Sequence, residues 1–136
     1  MPTMTAAERR DEARAAYDAF LAVCPSHQLL SRIADKWTAL IVSALADGPL
    51  RYGELARRIA SISQKMLTQN LRALERDGVV SRTVTPEVPV RVDYELTDVG
   101  RDLLPVLVAI KSWAETHIEG ILTSRETYDR QAASTT

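Results

Sequence analysis

Ser61-Ile-Ser-Gln-Lys-Met-Leu-Thr-Gln-Asn-Leu-Arg-Ala-Leu-Glu-Arg-Asp-Gly78 reads as one helix with both ends marked. Ser63 is placed to cap the first turn through its hydroxyl, Ile62 to staple onto Leu67, and Gly78 to supply a left-handed stop, so the helix is expected over 63–77. Leu67, Leu71 and Leu74 recur at i, i+4 and i+7 and must face a core. That register leaves Gln64, Lys65, Thr68, Gln69 and Arg72 together on the opposite side. Amides, a hydroxyl and cations near a helix N-terminus, with no carboxylate before Glu75, suit an anionic partner rich in hydrogen-bonding groups, such as the floor of a DNA major groove. An ordinary solvated helix face has the same look, and the helix alone leaves both readings open.

The neighbouring segments favour the first reading. Upstream, Leu50-Arg51-Tyr52 is a short extended piece and Gly53 to Ile59 a short helix with Leu55, Ala56 and Ile59 inward. A tight connection over 60–62 joins it to the quoted helix, which makes a helix-turn-helix pattern. Downstream, Val80 to Val84 and Val90 to Leu96 alternate with period two and predict a hairpin. Its connection, Thr85-Pro-Glu-Val-Pro-Val-Arg91, is stiffened by two prolines and carries a cation. This is expected of a wing, 85–91, that lies on a phosphate backbone or enters a minor groove.

Two further helical regions flank this centre. Residues 1–23 form an extension whose Ala13, Ala16, Tyr17, Phe20 and Leu21 share one helical face. Pro25 disfavours helix at Cys24, and Ser26 is placed to cap a new helix carrying Leu29, Leu30 and Ile33. From Asp35 a core helix is expected with Trp37, Leu40, Ile41, Ala44 and Leu45 as its apolar stripe, ended by Gly48-Pro49. Thr97 caps the last helix, where Val99, Leu103, Val106, Ile110, Trp113, His117 and Ile121 form a heptad-like seam. Leu104, Leu107 and Ile118 broaden that seam into a face wide enough for its own domain and a second chain. The domain is expected over 24–122, with 123–136 a polar, frayed tail.

The chain has 136 residues, 46% hydrophobic and 26% charged, enough for one domain with a core. Net charge is only −1, yet residues 51–91 carry eight cations against four carboxylates, so the basic surface is local. No apolar run approaches the ~20 residues that span a bilayer, and the charged N-terminus lacks a signal-peptide core. A cytoplasmic protein with no membrane contact is the expectation.

In order, these pieces are helix, core helix, helix-turn-helix, hairpin wing and long terminal helix: mainly α with a small β-hairpin wing. The strings Cys24-Pro25, Asp35-Lys36-Trp37, Arg51-Tyr52-Gly53-Glu54-Leu55, Ile62 to Gln69, Pro86-Glu87-Val88-Pro89 and Arg91-Val92-Asp93-Tyr94 together resemble the HxlR family of winged helix-turn-helix regulators, relatives of the MarR group. Family members often carry Gly-Gly-Lys-Trp where this chain has Ala34-Asp35-Lys36-Trp37. The resemblance implies a homodimer, joined through its terminal helices at Phe20, Val106, Ile110, Trp113 and His117, on a near-palindromic double-stranded operator. It further implies that Ser63, Gln64, Lys65, Thr68, Gln69 and Arg72 contact bases or nearby phosphates, with Arg51, Arg76 and Arg91 on the backbone.

Some members of the resembled family sense oxidants or electrophiles at the Cys-Pro position, which Cys24 matches. A cysteine ahead of a helix start is suited to such chemistry, while a free cysteine is most often a small packing residue; both readings stand, with a small-molecule effector as the rival input. With one cysteine and two histidines, neither a metal site nor a nucleophile pair is expected. No paired carboxylates or Gly-rich phosphate loop point to an enzyme or a cofactor. The alternative function is a winged-helix protein-interaction module without DNA binding. Its interface centre would be aromatic and aliphatic, not the Gln/Lys/Thr/Arg face found here.

Overall fold

The computed structural model describes residues 3–135. In chain order it contains α1 (Ala6–Val23), α2 (Pro25–Ile33), α3 (Lys36–Ala44), β1 (Leu50–Arg51), α4 (Tyr52–Arg58), α5 (Gln64–Arg76), β2 (Val80–Thr85), β3 (Arg91–Leu96) and α6 (Asp98–Ser134). The chain divides into two compact units, residues 1–40 and 41–136, with α3 running across the division.

In the first unit α1 opens with a reciprocal cap: the Thr5 hydroxyl accepts from Glu8 N–H, and Thr5 N–H donates to the Glu8 carboxylate. Neither α1 nor α2 contains a buried residue. The expected Ser26 cap is corrected. Pro25 is itself the first helical residue and Cys24 the N-cap, since proline's fixed φ suits the first turn and its missing N–H costs nothing there. Asp35 accepts from Trp37 N–H at 2.8 Å and Thr38 N–H at 3.2 Å and so caps α3. The stripe on α3 is also corrected: Thr38, Ile41, Val42 and Leu45 are fully buried, whereas Leu40 is exposed. The inward set is thus i, i+3, i+4, i+7 counted from Thr38, and Val42 takes the place expected of Leu40.

The second unit is built around Ile41, Leu45, Leu55, Leu67, Leu71, Leu74, Val80 and Leu96, all buried. The three leucines of α5 are the ones its spacing demanded. Ser63 caps that helix by accepting from Met66 N–H at 3.1 Å. At the other end Gly78, at φ +76°, turns the chain so that Val79 N–H reaches Leu74 O and Gly78 N–H reaches Glu75 O. The helix therefore stops where Val79 and Val80 enter the core, with Val80 opening β2.

The strands form one antiparallel sheet in the order β1-β3-β2. The hairpin pairs Val80 with Leu96 and Thr85 with Arg91, and Leu50 pairs with Tyr94, so the extended piece before α4 is a third strand. Thr97 caps α6, donating to the Gly78 carbonyl and accepting from Gly100 N–H. Gly100 and Leu107 are the buried positions of α6, while Val106, Ile110, Trp113 and Ile118 are exposed. α6 runs on through the polar end from 123 to Ser134, in a sequence with no glycine or proline to stop it. Among the described residues no helix is long and apolar enough to cross a membrane.

Candidate nucleic-acid interface

The outer face of α5 carries Gln64, Lys65, Gln69 and Arg72, all exposed. None of the four has a carboxylate partner among the described residues. They are free to bond because the three leucines hold the opposite face and the Ser63 cap fixes where the helix begins. Asn70, between the two faces, is turned inward and donates to Met66 O at 2.8 Å. Thr68 is half-buried, and its hydroxyl lies 3.2 Å from that of Tyr52, the first residue of α4. The Tyr52 hydroxyl also donates to Gln64 O at 3.1 Å, so one side chain ties α4 to the first turn of α5.

A polar cleft of about 350 Å³ separates α5 from the sheet, lined by Tyr52, Thr68, Arg72, Glu75, Arg82 and Tyr94. It brings Arg82 to the same side as Arg72, with Glu75 as the acidic group in the lining. Sequence reasoning assigned no contact role to Arg82 or Tyr52. The signal for Arg82 was its pairing with Tyr94 across the hairpin, which requires the strand register. A second crevice of about 370 Å³, between β1, α4 and the wing, is lined by Arg51, Tyr52, Glu87, Pro89 and Arg91 among others. Two of the three expected backbone cations, Arg51 and Arg91, therefore meet here, whereas Arg76 sits apart in the last turn of α5.

The wing cation is not free. Arg91 Nε lies 2.9 Å from Asp93 Oδ2, and this hydrogen bond, reinforced by the carboxylate's charge, holds the guanidinium above its ordinary, already high pKa. Arg91 stays charged, but Asp93 offsets that charge locally. The wing tip carries two exposed apolar side chains beside Glu87: Val88 is fully exposed and Val90 largely so. Apolar groups of this kind suit a groove wall better than a phosphate.

Phe20 is exposed on α1, and Val106, Ile110 and Trp113 are exposed on α6. His117 stacks on Trp113 at 4.7 Å, and its Nδ1 is 2.8 Å from the Trp113 carbonyl. Because a carbonyl only accepts, Nδ1 carries the proton of that bond. Cys24 is a half-buried free thiol at the α1–α2 corner. No group of three or more His, Cys, Asp or Glu that could hold a metal ion occurs among the described residues.

This arrangement of helix, cleft and wing has relatives. The sequence profile of the HxlR-like helix-turn-helix family matches residues 32–121. The HTH-type transcriptional regulator YtfH of Escherichia coli strain K12 is 37% identical over 107 residues, covering 79% of this chain and 85% of YtfH. Among solved structures, the redox regulator HypR in its oxidized form is 42% identical with a TM-score of 0.63, covering 68% of this chain and 96% of HypR. Diamide-treated YodB from B. subtilis is 39% identical with a TM-score of 0.60, covering 69% of this chain and 94% of YodB. In sequence and in winged-helix architecture alike, the chain belongs to the HxlR-like helix-turn-helix family.

Proposed function

We propose that the chain is a homodimeric, sequence-specific DNA-binding transcription regulator that lays α5 in the major groove of a near-palindromic operator. The observation that carries this is the outer face of α5: Gln64, Lys65, Gln69 and Arg72 stand exposed on a helix whose other face is fixed by three buried leucines. Arg82, across the cleft from Arg72, and Arg51 at the wing crevice supply charge for the flanking phosphates. The exposed apolar stripe on α6 is a surface through which two copies associate, and the exposed Phe20 of α1 is available to a second chain as well. Two recognition helices in successive major grooves would lie ~34 Å apart. Work of this kind belongs in the cytoplasm, and no catalysis is ascribed to the chain.

HypR is a redox regulator, and YodB has been studied after diamide treatment. Cys24, the single thiol of this chain, is the residue through which an oxidant or electrophile would act here. A small ligand held between subunits is the rival input. The test is selection of duplexes from a random pool with the full chain, followed by sedimentation of the complex. An enriched sequence with two half-sites one helical turn apart, bound by two chains, supports the reading; no enrichment contradicts it.

A further inference from the structure

The Tyr52 hydroxyl has two polar neighbours and one proton. Gln64 O, at 3.1 Å, is a carbonyl and can only accept, so the tyrosine proton goes there. Thr68 Oγ1, at 3.2 Å, then satisfies the contact only by donating its own proton back to Tyr52. The opposite arrangement would leave the tyrosine oxygen facing the Gln64 carbonyl with no hydrogen between them. Thr68 also lines the open cleft beside Arg72, so an acceptor there borders space that a partner can enter.

We infer that Tyr52 is a positioning residue that fixes the Thr68 hydroxyl as a hydrogen-bond acceptor, so that Thr68 selects a base presenting an amino group in the major groove. This rests on the DNA-binding reading above. Adenine N6 and cytosine N4 are the amino donors of the major groove; guanine offers N7 and O6, and thymine O4, all acceptors. An unconstrained threonine serves either kind, because its hydroxyl rotates. Locked by Tyr52, Thr68 rejects the carbonyl bases and also the phosphates, whose oxygens have no proton to give. Gln64, Lys65 and Arg72 keep their donors, so the constraint acts at one base pair per half-site.

The experiment uses the whole 136-residue chain and the duplex it selects from a random pool. Each adenine is replaced in turn by purine, and each cytosine by 2-pyrimidinone, which removes one amino group at a time, and affinity is read by fluorescence anisotropy. At one position per half-site, loss of the amino group should weaken wild type roughly 2- to 10-fold, the worth of one hydrogen bond, and leave Thr68→Val unaffected. Thr68→Ser should behave as wild type. Tyr52→Phe, which keeps the ring, should bind guanine or thymine at that position nearly as well as the amino base, because the freed hydroxyl can donate. A Tyr52→Phe protein with unaltered base preference, or amino losses that cost wild type and Thr68→Val equally at every position, would overturn the inference while leaving DNA binding intact. Failure of wild type to enrich any sequence would instead overturn the DNA-binding reading, and this inference with it.

Discussion

Arg91 and Asp93, two residues apart on β3, bind each other at 2.9 Å, so the wing cation and its counter-charge form one unit. On a strand, i and i+2 share a face, which is why the pair can form. A free cation on a phosphate changes the salt dependence of DNA binding by ~0.9 in slope. Arg91→Ala is therefore expected to change that slope by clearly less than one, and Asp93→Asn, which removes the offsetting charge, to steepen it and tighten binding at low salt. Anisotropy titrations over a range of salt concentrations check both; a full unit lost in Arg91→Ala with no effect of Asp93→Asn would contradict the pairing.

Arg72 leaves α5 on its exposed face and borders the cleft that holds Thr68 and Arg82. Arg72→Ala is expected to cost ~1–3 kcal/mol of operator affinity and to relax sequence preference nearby. Arg82→Ala should weaken selected and unrelated duplexes alike, because a phosphate contact carries no sequence information. Competition binding against mutated operators separates the two patterns.

Gly100 lies against the backbone of Val79 so closely that a Cβ there would run into the Val79 carbonyl oxygen and crowd Leu96. In a helix interior Gly→Ala ordinarily stabilises by ~1 kcal/mol. Here the obstacle is backbone, which cannot swing aside, and overpacking of this kind costs ~1–3 kcal/mol. Gly100→Ala should thus lower the thermal midpoint, while Gly120→Ala, with nothing near its added Cβ, should raise it or leave it unchanged.

Trp113 and Ile110 are more than half exposed on α6. If two chains meet there, Ile110→Asp places a charge in an apolar interface and should shift sedimentation from dimer to monomer without changing the circular dichroism of α6. Operator affinity should fall with it, since one recognition helix then binds alone.

Cys24→Ser should bind operator as wild type does when reduced. Diamide should release wild type and leave Cys24→Ser bound, read by anisotropy at fixed salt. Release of both proteins would move the effect away from the thiol.

The parts of this fold that were legible in the sequence are those whose signal is local. α5 carries its cap, its stop and its leucine spacing within 18 residues, and the observed Ser63 cap and Gly78 turn match them. The exposed face of α5 followed from the same register. The start of α2 was misplaced because Pro25 both breaks the preceding helix and begins the next, and only its backbone angles decide which. Leu40 and Val42 are equally apolar, so composition could not tell which one α3 turns inward. The Tyr52–Thr68 contact spans 16 positions and two helices, and Arg82 reaches the cleft through strand register; neither relationship leaves a periodic trace. The Arg91–Asp93 pair did leave one, opposite charges at i and i+2 on a strand, within the apolar alternation of the same residues.

If the outer face of α5 reads DNA sequence, the affinity of the 136-residue chain for its selected duplex beside a scrambled one, compared with that of Gln69→Ala/Arg72→Ala, shows it. Wild type should prefer the selected duplex by ~10³-fold or more, and the double variant should lose most of that preference while keeping salt-sensitive binding to both. A wild type that binds the two duplexes equally, or a double variant that discriminates as well as wild type, would contradict it.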